Sequence, residues 1–123
     1  MAGEKRTFFK YAEELFNIAE NEKIEVLVST MSFISTEYIL RKQLSMSKTR
    51  QALTGIRAIC KVCTSGEKEI DLAMVSEMKD FEDSFQYFTA INNSANVIIT
   101  RNPKDFKGSK IPILSAEEYI KLQ

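Results

Sequence analysis

Asp80 to Phe106 reads DFEDSFQYFTAINNSANVIITRNPKDF: an acidic cluster ahead of an aromatic helical run, then an apolar run ending in a second polar cluster. Asp80 and Asp83 stand three apart, so on a helix they share a face, with about 5–6 Å between their Cβ atoms. Two like charges that close repel by about 1 kcal/mol in water and about 4 kcal/mol at an effective dielectric near 20, a cost that solvent or a cation must relieve. Thr100, Asn102 and Asp105 follow directly on the apolar strand Asn96-Val97-Ile98-Ile99. In an open parallel sheet, ligands bind beyond the carboxyl ends of the strands, and oxygen ligands gathered there suit a hard divalent cation. Each cluster also has a plain reading. Asp80 is a good N-cap, with Glu82 and Asp83 favoured by the positive end of the helix dipole, and Asn102-Pro103 is a turn signal. Their joint placement at one sheet edge tips the reading toward a metal site.

Working outward, Phe8, Tyr11, Ala12, Leu15, Phe16 and Ala19 recur at helical spacing, and Asn21-Glu22-Lys23 ends that helix. Glu25 to Ser29 reads as a short apolar strand. Ile34, Tyr38, Ile39 and Leu44 restore a helical period from Met31 onward, and Ser47 is a plausible N-cap for a helix carrying Ala52, Leu53 and Ile56. Ala58 to Cys63 reads as a strand ending at the turn Thr64-Ser65-Gly66. Ile70, Ala73, Met74 and Glu77 suggest a helix before the one that Asp80 opens, along which Phe81, Phe85, Phe88 and Ile91 form a core stripe. Ile111-Pro112-Ile113-Leu114 is a last strand whose proline favours a sheet edge. Ser115-x-x-Glu118 is a capping box ahead of a closing helix over Tyr119 to Leu122. Short strands alternating with helices predict one α/β domain over residues 1–123 with a mainly parallel sheet.

Composition removes much chemistry. Histidine is absent, so no Ser-His-Asp or Cys-His relay and no His-ligated zinc site can form within the chain. Cys60-x-x-Cys63 suggests redox or zinc chemistry. On a strand, however, an odd separation sends the two sulfurs to opposite faces, which favours two small core residues in a reducing compartment. Seventeen basic and 17 acidic residues balance, so only local clusters such as Arg101, Lys104, Lys107 and Lys110, or Arg41, Lys42, Lys48 and Arg50, offer phosphate contacts. With no run of about 18 apolar residues and no secretory leader, the chain is expected in the cytoplasm, without a membrane span.

The runs Asp80-Phe81-Glu82-Asp83-Ser84-Phe85-Gln86-Tyr87 and Val97-Ile98-Ile99-Thr100-Arg101-Asn102-Pro103-Lys104-Asp105-Phe106 resemble the PIN domain, a fold of metal-dependent ribonucleases that includes toxins of bacterial toxin–antitoxin pairs. The resemblance implies a three-layer α/β/α fold, Mg²⁺ or Mn²⁺ as cofactor, RNA as substrate and an antitoxin protein as partner. It makes Asp83 and Asp105 metal ligands, with Asp80 in support. Thr100 and Asn102 would position phosphate or water, while Arg101 and Lys104 would offset phosphate charge.

Two departures stand against the family pattern. The first strand, central to the family's sheet and ending in an Asp-Thr-Asn type motif, has no counterpart, so the chain reads as N-terminally truncated relative to the family. The second acidic position falls on Ser35, and Glu37 lies two residues, or about 200° of helix rotation, away. A missing central strand leaves two neighbours without ladder partners, at about 1–3 kcal/mol for each buried unpaired backbone group. Self-association into a homo-oligomer, or a rearranged sheet, is therefore expected. With the first aspartate missing, metal binding is expected to be weak and cleavage slight or absent. The rival expectation is a non-catalytic PIN-like module that binds a partner or nucleic acid, supported by the neutral charge, the broken acid set and the aromatic residues Phe8, Phe9, Tyr11 and Phe16.

Overall fold

The computed structural model describes residues 17–21 and 24–122. The expected first helix and its aromatic residues Phe8 to Phe16 lie outside the described residues, apart from a helical turn over residues 17–20 that carries the buried Ala19. The element order is β1 (Val26–Ser29), α1 (Thr30–Leu40), α2 (Met46–Ile59), β2 (Cys60–Cys63), α3 (Glu67–Met74), α4 (Phe81–Asn92), β3 (Ile98–Ile99), a 3-10 turn (Pro103–Asp105), β4 (Ile113–Leu114) and α5 (Ala116–Lys121).

Local chemistry explains most boundaries. Ser29 ends β1 and caps α1, its hydroxyl accepting the Ser32 N–H at 3.0 Å. Ser45, rather than the expected Ser47, caps α2 by accepting the Lys48 N–H at 3.2 Å. The helix then runs through Ala58 and Ile59, two residues that alternation had assigned to the strand. Chain direction changes only at Cys60, whose φ of −123° and ψ of 151° are already extended. At α5 the capping box forms as expected: Ser115 Oγ accepts the Glu118 N–H, and Glu118 Oε1 accepts the Ser115 N–H. The helix begins at Ala116, three residues ahead of the expected Tyr119, because the box itself supplies its first turn. Helix α3 stops at Met74, short of Glu77. Strands β3 and β4 shrink to two residues each, leaving Pro112, which has no N–H to give, just outside β4.

The strands are all parallel, as expected, but they form two separate ladders. β1 pairs with β2 through Val26 opposite Cys60 to Ser29 opposite Cys63. β3 pairs with β4 through Ile98 opposite Ile113 and Ile99 opposite Leu114. No ladder joins the pairs among the described residues, so each of β1 and β3 has a single partner. Consistent with the thin sheet, the buried apolar residues described are small or aromatic: Ala19, Cys60, Cys63, Ala73, Phe85, Tyr87, Phe106 and Ala116.

Helix α4 links the pieces. It packs against α3 and β1, and three side chains tie it elsewhere. Gln86 Nε2 donates to Ser32 Oγ at 3.0 Å on α1. The Tyr87 hydroxyl accepts the Lys110 N–H at 2.9 Å, just before β4. Asn93 Nδ2 donates to the Thr64 carbonyl at 3.1 Å, just after β2. The core stripe differs from the expected one. Phe85 is buried and Phe88 and Ile91 are half-buried, whereas Phe81 is 49% exposed and Tyr87 takes its place inside. The rotation follows from the hydrogen bond at the end of the tyrosine, which lets an aromatic ring with a polar tip be buried.

Candidate acidic site at the strand ends

Asp80 is first of all a helix cap. Its φ of −98° and ψ of 121° are extended, and its Oδ1 accepts the Asp83 N–H at 2.9 Å, so one of the four orphan amides of α4 is satisfied. Asp83 sits in the first turn, half-buried, with Glu82 beside it. Its carboxyl is pushed above the usual carboxylate range, first by burial and then by the negative charges of Asp80, Asp105 and Glu82. The Asp105 contribution is informative, because Asp105 lies 22 residues further along the chain, in the 3-10 turn after β3. Its charge reaches Asp83 only because β3 delivers its carboxyl end beside the start of α4. Burial, with charge crowding added, outweighs the helix dipole here, since the dipole alone lowers an N-terminal carboxyl.

The turn after β3 is held by short local bonds. The Thr100 N–H donates to the Leu114 carbonyl at 2.9 Å, extending the β3–β4 pairing by one residue. Thr100 Oγ1 accepts the Asn102 N–H at 3.2 Å, and the Asn102 carbonyl accepts the Asp105 N–H at 3.1 Å. Asn102, Arg101, Lys104 and Asp105 are exposed, while Phe106 is buried and anchors the turn. The polar ends of these side chains are therefore accessible on a turn whose backbone is fixed on both sides.

The second acidic position gains nothing from its neighbours. Ser35 is exposed on α1. Glu37 Oε1 lies 3.7 Å from Arg41 Nε, and its charge is not among those acting on Asp83. Among the described residues, no three His, Cys, Asp or Glu side chains gather closely enough to hold a metal ion. The donor type fits a hard cation, but the donor number is low.

One participant was not singled out from sequence. Gln86 lies one helical turn beyond Asp83 and bonds to Ser32, three residues past the end of β1. It places the carboxyl end of β1 along the same stretch of α4 that meets the turn after β3. The signal was present in the Asp83-x-x-Gln86 spacing, which puts both side chains on one helix face. Cys60 and Cys63 are free thiols, both buried, and burial pushes both thiols up in pKa. Both sulfurs are enclosed although they sit at the two ends of β2 with the exposed Lys61 between them, and enclosed thiols with raised pKa are poor nucleophiles.

The carboxyl ends of β1 and β3 thus converge on the first two turns of α4, and carboxylates crowd there, as in open α/β folds that bind ligands beyond strand ends. The PIN domain family model matches residues 3–104, and the chain belongs to that family. Members of this family are generally nucleases and typically use divalent metals. No curated protein and no solved structure matches the chain. No described helix is long and apolar enough to cross a membrane.

Proposed function

We propose that this chain is a toxin-type PIN module directed at RNA phosphodiesters, with Asp83 and Asp105 as metal-holding carboxylates and Asp80 as the residue that fixes Asp83 in place. The observation that carries this reading is that the sequence-distant Asp105, on the turn after β3, acts on Asp83 at the start of α4, whose carboxyl is raised first by burial and then by the charges of Asp80, Asp105 and Glu82. A carboxylate raised by burial and by neighbouring acids at a strand end is a candidate functional group.

Asp83 and Asp105 would hold Mg²⁺ or Mn²⁺, which when bound supplies an activated water and neutralises phosphate charge. The chain's own residues do the rest. Asp80 orients the first turn of α4 through its bond to the Asp83 N–H. Thr100 and Asn102 present polar groups beside the strand end for a phosphate oxygen or a water. Arg101 and Lys104, exposed on the same turn, draw the polyanion by charge. With two acids rather than three or four, metal binding is weak and cleavage slow. A small antitoxin protein and a cytoplasmic setting complete the reading.

The second reading is a non-catalytic PIN module. It is favoured by one observation, the lack of any three-acid group among the described residues. Following RNA cleavage while Mn²⁺ is added, with Asp83→Asn alongside, separates the two. Slow cleavage that rises with Mn²⁺ and vanishes in Asp83→Asn supports the nuclease. Metal-induced broadening of Asp83 and Asp105 carboxyl signals without cleavage at any Mn²⁺ level supports the non-catalytic module. An absence of both effects removes the metal site altogether.

A further inference from the structure

Charge balances over the chain but not along it. From Tyr38 to Gly66 there is no acid and there are six bases, Arg41, Lys42, Lys48, Arg50, Arg57 and Lys61, whereas Glu67 to Asp83 holds seven acids against two bases. Helix α2 makes up the middle of the acid-free stretch. It turns Thr49, Leu53 and Ile56 inward. Past Met46, its exposed residues are the three bases Lys48, Arg50 and Arg57 among hydroxyl, amide and small side chains only. A face of that make-up lacks the large apolar side chains that a protein contact or a membrane-surface helix buries. It suits a phosphate backbone, which is held by charge and by small polar groups that let it come close.

At 100° per residue, Ser47, Arg50, Thr54 and Arg57 fall within about 80° of one another, a strip whose two arginines stand two turns, or about 10.5 Å, apart along the axis. Lys48 borders the same outer face from the other side. Local helix physics accounts for one of these bases. Arg57 is in the last turn, where the dipole favours a cation, and its guanidinium donates to the Cys60 carbonyl at 3.1 Å. Lys48 and Arg50 sit at the other end, where the dipole disfavours cations and the first turn holds no acid. Neither forms an ion pair among the described residues, so an external anion is what would relieve them. The strip runs to Cys60 at the amino end of β2, the end of the ladder opposite the strand ends that carry the acids.

We propose that the outer face of α2 is a second contact surface for RNA, remote from the acidic site, which holds the phosphate backbone through Arg50 and Arg57 with Lys48 adding charge. The choice of RNA rests on the reading of the acidic site given above, and the choice of phosphate rests on charge alone. The surface needs neither metal nor cleavage. With so few cations the attachment is weak, indifferent to base sequence and steeply dependent on salt.

Fluorescence anisotropy of a labelled single-stranded RNA tests it, with EDTA present so that nothing is cut, salt varied from low to physiological, and far-UV circular dichroism as the control for folding. The wild type binds, and its log Kd rises with log salt. Arg50→Gln/Arg57→Gln weakens binding at low salt by about tenfold and lowers the salt slope by about 1.4, or about 0.7 for each lost contact on a single strand. Arg50→Gln alone, which leaves the Arg57 bond to Cys60 in place, lowers it by about half as much. Lys68→Gln/Lys79→Gln removes the same charge from the acidic stretch and leaves the slope as it was. A wild type that does not bind at low salt, or one that binds vesicles of anionic lipid in preference to RNA, overturns the proposal. So does an equal loss in the Lys68→Gln/Lys79→Gln protein, which would reduce the effect to net charge. The two readings fail separately: RNA bound through Arg50 and Arg57 but uncut with Mn²⁺ removes the nuclease and keeps this surface, whereas cutting with a salt slope indifferent to both arginines removes the surface and keeps the nuclease.

Discussion

The two ladders differ in depth and in what hangs from them. β1 and β2 share four residue pairs, and their carboxyl ends are locked: Thr30 Oγ1 donates to the Cys63 carbonyl at 3.0 Å, and Asn93 Nδ2 donates to the Thr64 carbonyl. Glu69, buried at the start of α3, accepts from the Gly66 N–H at 2.7 Å and from the Asn92 side chain, and those two bonds hold its carboxyl below the usual range. β3 and β4 share two pairs, Ile99 is 37% exposed, and the turn beyond them carries the exposed Asp105. One half is scaffold, and the other holds accessible acids on a short support. Sites are commonly carried by loops set on a firmer frame.

The largest test strikes the link between the halves. Phe85 is buried on α4, and Phe85→Ala is expected to cost about 3 kcal/mol or more. Both ladders then lose amide protection together in hydrogen exchange. If only β3–β4 opens, the halves are not joined through α4.

Two smaller changes, each about 1 kcal/mol, act at opposite ends of the same helix. Asp80→Ala removes the N-cap beside the acidic site and lowers the denaturation midpoint by that order. Ser94 closes α4 with a φ of 63°, its N–H donating to the Ile91 carbonyl at 3.1 Å while the Ala95 N–H reaches the Ala90 carbonyl at 3.0 Å. This is a Schellman turn with a serine where glycine is preferred, so Ser94→Gly is expected to stabilise by about 1 kcal/mol in urea unfolding. An unchanged midpoint would mean that the turn carries no strain.

The smallest effect has a definite sign. Asp83 titrates higher in the folded chain than in the unfolded one, so its ionisation weakens the fold as pH rises from the ordinary aspartate range through the folded value. Asp83→Asn is therefore expected to gain a few tenths of a kcal/mol at neutral pH, a figure suited to a half-exposed group, and nothing below pH ~3. Stability–pH curves of the two proteins that diverge only above that range support the raised Asp83 carboxyl, and parallel curves contradict it.

Much of this was legible in the sequence. Caps announced themselves at Asp80 and Ser115 because capping is a local competition for orphan amides, settled within three or four residues. The parallel strands were legible from their uninterrupted apolar runs, though their lengths were not. Alternation cannot tell Ala58-Ile59 as strand from the last turn of a helix, and only the backbone at Cys60 settles it. Tyr87 displaced Phe81 from the core because of a partner at Lys110, a contact 23 residues away that periodicity cannot see. The acids Asp83 and Asp105 were legible as residues, and so was the gap at Ser35; what geometry adds is that no three acids gather among the described residues. Glu37, close in sequence to the expected position, spends its charge on Arg41.

The meeting of Asp83 and Asp105 is the central claim, and carboxyl NMR titration of Asp83 in the wild type and in Asp105→Asn tests it most directly. The account predicts an Asp83 pKa above the ordinary aspartate value in the wild type and a partial fall once the Asp105 charge is removed, burial and Asp80 keeping the rest of the elevation. An Asp83 pKa that is the same in both proteins would contradict it.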